Sequence, residues 1–205
     1  SKFKDGENFH LIGIQKLVGF SYDYLSYNLN SCLLYFGMYP EDYEVIMKRL
    51  IQQWIVVGFV KDEKGKTLED IAQEYLTELI HRSLVQVSSF TIDGKAKRCH
   101  VHDLLWDMIL RKYKDLNFCQ HINKEDESIA MYFNDLMGTN ESSHIQSLLI
   151  FTGEVINEYV ERIPIKYRLL KVLDFEDYQL SLIPKNWGNL AHFKYLSLRC
   201  WIKLK

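Results

Sequence analysis

Cys99-His100-Val101-His102-Asp103-Leu104-Leu105-Trp106-Asp107-Met108-Ile109-Leu110 changes its hydrophobic period half-way along. The first half alternates as a strand does, and in the second half Leu104, Leu105, Met108 and Ile109 recur at the spacing of one helix face. Asp103 stands at the junction, where a short acceptor side chain caps the first free backbone N–H groups of a helix. His102 then precedes a helix N-terminus, which carries partial positive charge and attracts anions such as phosphate. Its imidazole is also a hydrogen-bond donor to a phosphate oxygen. The plainer alternative makes Asp103 only a cap and His102 only a strand end, and the local pattern by itself favours it.

Working outward, Asp93-Gly94 is a hairpin turn signal between a strand-like run (Leu84 to Val87, with Ile92) and the return strand Arg98–Val101. Before the hairpin, Leu68, Ile71, Ala72, Tyr75, Leu76, Leu79 and Ile80 form the clearest helical stripe in the chain. Thr67 starts it, with Asp70 three residues on in the place of the usual Glu or Gln of a capping box. Val60 to Lys66 is a charged loop. The helix before that runs through Val45, Ile46, Leu50, Ile51, Trp54, Ile55 and Val57 and closes at Gly58. Pro40 ends an almost wholly apolar turn, Cys32 to Phe36, that must be buried. Leu11 to Leu29 is roughly helical, with a break near Gly19. Three helices followed by a two-stranded hairpin are the parts of a winged helix, and the helix from Leu104 to about residues 112–114 packs after the wing.

Residues 123–143 read as an inter-domain connection, charged at Asn123–Ser128 and small and polar at Gly138–Ser143. Beyond it a new period appears. Leu148/Ile150, Leu173/Phe175 and Leu196/Leu198 repeat one pair at spacings of 25 and then 23 residues. Leu170, Leu173, Phe175, Tyr178 and Leu180 follow a leucine-rich-repeat template, with Tyr178 where Asn or Cys is usual. The fold class is therefore mixed α and β: a mainly α-helical winged-helix domain with a β-hairpin wing, then the first repeats of an α/β leucine-rich-repeat solenoid. The expected divisions are 1–16 as the remnant of an upstream helical region, 17–122 as the winged helix, 123–143 as linker and 144–205 as repeats. Two or three repeats cannot cap their own core, so the chain reads as an excised part of something longer.

The totals agree with a folded protein: 47% of residues are apolar and 25% charged. A net charge of −2 makes no global case for nucleic acid or an anionic membrane. The four cysteines form no CxxC pair and read as reduced thiols of a cytoplasmic or nuclear protein. The N-terminus has no apolar signal region, and no run approaches the ~20 apolar residues of a membrane span.

Four sharper motifs fail on their own chemistry. Gly65-Lys66-Thr67 resembles the end of a P-loop, but Val60 occupies the position of the required glycine, and Asp62 and Glu63 would repel phosphate. Cys99-x-x-His102, with His100 and His81, lacks the second half-site of a zinc centre. A DNA-reading winged helix needs cations on its third helix, which instead carries Glu69, Asp70, Glu74 and Glu78. Favourable charges are confined to Lys95, Lys97 and Arg98 of the wing. No nucleophile is paired with a base, and the chain reads as no enzyme by itself.

Three segments carry a family resemblance. Cys32–Tyr43 resembles the block that opens the winged-helix domain of plant intracellular immune receptors of the nucleotide-binding, leucine-rich-repeat class, coiled-coil type. Leu50–Val60 resembles the helix "L-I-x-x-W-I-x-x-G-F" that follows it in that family. Val101-His102-Asp103 resembles the family's Met-His-Asp motif, with Val in the first position.

The resemblance implies a regulatory module of a receptor for defence against pathogens. His102 would contact the β-phosphate of ADP and hold the receptor closed, and Asp103 would cap the helix and fix its position. ADP and ATP would act in the full-length receptor, and this chain by itself is expected to bind neither, since the P-loop and the Mg²⁺-binding acids are absent. The implied partners are the receptor's own nucleotide-binding domain and remaining repeats, a pathogen effector or guarded host protein, and further copies in an oligomer on activation. Two alternatives stay open: a DNA-binding winged-helix protein, and a nucleotide-independent protein-interaction scaffold.

Overall fold

The computed structural model describes residues 22, 24–116, 119–124, 127–133, 145–151, 161, 163, 166–176 and 184–199. The readings for residues 1–21, for 134–143, and for Tyr178 and Leu180 lie outside the described residues. The chain divides into two compact units, Ser1–Gly37 with Glu41–Arg111, and Met38–Pro40 with Lys112–Lys205.

The first unit begins with helix α1 (Tyr27–Leu34), capped by Ser26, whose hydroxyl accepts from the Leu29 N–H at 3.4 Å. A 3-10 turn, Tyr35–Met38, continues it. Cys32 to Phe36 are all buried, as their composition demands. Helix α2 (Met47–Val57) buries Leu50, Ile51 and Trp54, and the Trp54 ring meets Phe36 of this turn edge to face at 6.2 Å. Gly58 closes α2 at φ 97°, its N–H donating to Trp54 and Ile55 carbonyls while Phe59 N–H also reaches Trp54. That left-handed turn is why glycine stands there. Helix α3 (Leu68–His81) opens with the anticipated capping box: Asp70 N–H donates to Thr67 Oγ1 at 3.1 Å, and Thr67 N–H to Asp70 Oδ2 at 3.2 Å.

Val45-Ile46 departs from the sequence reading, which placed both in α2. They form a short strand, β1 (Val45–Ile46), antiparallel to β3, with Val45 opposite Cys99 and Ile46 opposite Arg98. Two β-branched residues favour the extended backbone, and a partner strand far along the chain decides the matter. The wing strands are β2 (Gln86–Phe90) and β3 (Ala96–His100), so the sheet order is β1-β3-β2 and the wing has three strands rather than two. Ser88 sits in a register shift of β2, which blunts that edge. Helix α4 (Asp103–Leu116) follows, with Leu105 and Ile109 buried.

The second unit holds a five-stranded sheet in the order β4-β5-β6-β7-β8. Its strands are β4 (Cys119–Lys124), β5 (Glu127–Phe133), β6 (Ile145–Ile150), β7 (Val172–Glu176) and β8 (Tyr195–Arg199). β5 lies inside the stretch 123–143 that reads as a connection, and β4 inside 17–122. The charged residues Lys124 and Glu127 are paired strand ends rather than part of a linker, and the run Ile129–Phe133 is strand.

β6, β7 and β8 pair in parallel, and the repeated pairs fall in register: Leu148, Leu173 and Leu196 face one another in turn, as do Ile150, Phe175 and Leu198. Leu148, Leu173, Ile150 and Phe175 join Ile163, Tyr167, Leu170, Trp187 and Leu190 in one core, with Leu198 packed against it and Phe175 stacked on Trp187 at 5.9 Å, while Leu196 stays exposed. No helix among the described residues is long and apolar enough to cross a membrane.

Candidate functional site

Val101 and Cys99 are buried and pin the end of β3, so the chain emerges at His102 with its side chain exposed. The His102 carbonyl accepts from Leu105 N–H at 2.8 Å and from Trp106 N–H at 2.9 Å, which makes it the N-cap residue of α4. Its ring completes the cap. Leu104 N–H donates to His102 Nδ1 at 3.3 Å. An accepting Nδ1 carries no proton, so the neutral ring holds its proton on Nε2, and that N–H has no hydrogen-bond partner among the described residues. The imidazole is thus held by one nitrogen and presents a donor with the other, beside the positive end of a helix of 14 residues.

Asp103, to which the sequence reading gives the cap, is instead the first helical residue, exposed and in the first turn. No described residue hydrogen-bonds its carboxylate. Its charge still suits the helix dipole, but the capping bond comes from the residue before it. A His-Asp pair leaves a one-residue ambiguity that only the backbone turn resolves, because either side chain is an acceptor at the right offset.

The other motifs also find their places. Lys66 Nζ lies 2.7 Å from Glu74 and 3.4 Å from Glu63, and Thr67 caps α3, so Gly65-Lys66-Thr67 is a helix entry. Cys99 is fully buried and desolvation pushes its thiol up to about 12, whereas His102 is exposed. A thiolate ligand is disfavoured there. Among the described residues no three His, Cys, Asp or Glu side chains gather as metal ligands would. The solvent side of α3 carries Glu69, Asp70 and Glu74, and Arg82 pairs with Glu78 at 2.7 Å.

Comparison with known proteins converges on one group. Residues 38–109 match the family model of the disease resistance protein winged helix domain. The chain belongs to the plant disease resistance proteins. It is 36% identical over 189 residues to a disease resistance protein of Arabidopsis thaliana, covering 87% of this chain and 22% of the relative. With the RPP13-like protein 3 of the same plant it shares 31% over 204 residues, 91% of this chain and 24% of the relative. With the late blight resistance protein R1-A of Solanum demissum it shares 34% over 210 residues, 88% of this chain and 16% of the relative. The chain thus spans about a fifth of the length of these resistance proteins. The matched winged helix runs from the end of the 3-10 turn through β1–β3 to Ile109, and it includes the His102 helix start.

Proposed function

We propose that this segment of a resistance protein is the regulatory part of a nucleotide-controlled immune receptor. The winged helix is the moving latch, and His102 contacts the β-phosphate of ADP in the closed full-length protein. The observation that carries this reading is the ring of His102, held through Nδ1 at a helix start with its Nε2–H uncommitted. A phosphate oxygen is the natural acceptor for that donor beside a positive helix end. Asp103 supports the helix electrostatically and also limits the anion's approach, so the contact belongs to the ring. The ATP-bound receptor then opens and oligomerises.

Nucleotide biases the two arrangements only through the difference in its contacts with each. Loss of one charge-assisted hydrogen bond, about 1.5–3 kcal/mol, raises the open population roughly ten-fold or more. The parallel ladder β6-β7-β8 with its in-register leucine pairs is read as the start of a leucine-rich-repeat solenoid that couples to the latch. An effector or guarded host protein is the recognised partner, in the cytoplasm or nucleus, and no catalytic step falls to this segment. The test is His102→Ala or Asp103→Val in a full-length receptor expressed in leaf tissue. Cell death without pathogen is the expected result; unchanged resting activity sinks the latch reading.

A further inference from the structure

The tip of the wing is built to hold apolar side chains in water. Phe90 is 63% exposed and Ile92 110%, more than in an extended reference peptide. Neither is there by slackness. Thr91 N–H donates to the Lys95 carbonyl at 2.7 Å, Gly94 N–H to the Thr91 carbonyl at 2.9 Å, and Lys95 N–H to Thr91 Oγ1 at 3.1 Å. Gly94 supplies the left-handed turn at φ 77°, and no β-carbon would meet anything there. The apex is therefore pre-organised with Ile92 at its end.

Around the apex the charge is one-sided. Lys95 and Lys97 are exposed, and Arg98 follows on β3, its guanidinium donating to the Glu44 carbonyl at 3.2 Å. The acid of the tip, Asp93, lies 3.7 Å from Lys95, and hydrogen bonds led by the Thr91 hydroxyl hold its carboxyl below the usual range. Two cations are left over.

We infer that the wing tip inserts its apex into the headgroup region of an anionic lipid bilayer. Size decides between a bilayer and a protein. A specific protein interface buries on the order of 1,200–2,000 Å² in total, far beyond two side chains at a hairpin apex. A weak, reversible interfacial contact needs only a few apolar side chains with a basic collar. This inference is independent of the nucleotide reading and stands without it.

The test is co-sedimentation of the 205-residue chain with vesicles of phosphatidylcholine alone or mixed with phosphatidylserine. Binding is expected only with phosphatidylserine, and should weaken steeply with added salt. The double variant Phe90→Ser/Ile92→Ser and, separately, Lys95→Glu/Lys97→Glu should each lower the partition coefficient about ten-fold while melting as the parent does. Both pairs are exposed, so the fold does not depend on them. A parent chain that stays in the supernatant, or tip variants that bind like the parent, overturns the inference. Tip-dependent self-association in sedimentation velocity overturns it too, since a second copy then covers the apex.

Discussion

The His102 ring caps a helix, and under the proposed reading it also meets a phosphate; substitution separates the two. In this chain His102→Ala removes the capping acceptor, and at 3.3 Å the bond is long. The expected loss is about 0.5–1 kcal/mol in a urea titration, near the low end for caps. His102→Asn supplies another capping acceptor and should keep nearly all of that stability. It lacks the imidazole donor, so in a full-length receptor Asn should resemble Ala in resting activity if the ring reads the phosphate. An Asn variant as quiet as the parent would mean that only the cap matters. Position 102 was legible in the sequence as a helix start, but the division of labour between His102 and Asp103 was not. Both are acceptors, and the turn of the backbone at Val101–His102 chose between them.

Helix ends carry the predictions at the next scale. Gly58 has open space around a built β-carbon, so Gly58→Ala meets no clash and costs only conformation. With φ at 97° that cost should be about 1 kcal/mol, seen as a lower midpoint of denaturant unfolding at unchanged slope. At the start of α3, hydrogen bonds from Thr67 hold the Asp70 carboxyl below its ordinary value. A carboxyl lowered on folding contributes stability above its unfolded range, and the contribution is lost as pH falls through the lowered value. Acid should therefore loosen α3 first at Thr67–Asp70, and Asp70→Asn should flatten that part of the stability–pH curve. An unaltered curve would show that the box carries none of the dependence. These caps were visible in the sequence because they are local, five residues or fewer from donor to acceptor. β1 was not visible, since two residues announce no period and only β3, some 50 residues on, holds them extended.

Across the whole chain, each compact unit has its own aromatic anchor, Trp54 in the first and the Phe175–Trp187 stack in the second. Trp54→Ala and Phe175→Ala should each cost about 3–5 kcal/mol, the range for emptying a buried aromatic site. Hydrogen exchange should localise the damage. Phe175→Ala should release amides of β6 and β7 while α2 and α3 keep their protection, and Trp54→Ala should do the reverse. Uniform loss from either variant would show a single cooperative structure. The charged hairpin β4–β5 belongs to this scale as well, because reading 123–143 as a linker fails where strand pairing with β6 enlists it.

What the sequence determined alone is whatever rests on short-range pattern: the helical stripes, the Thr67 box, the Gly58 stop, the hairpin at Asp93-Gly94 and the repeat of leucine pairs. Tertiary structure decided the third wing strand, the hairpin ahead of the parallel ladder, and which nitrogen of His102 is bound and which is presented. Those depend on partners distant in the chain or on one backbone turn, and a residue's type does not reveal either until the sheet has formed.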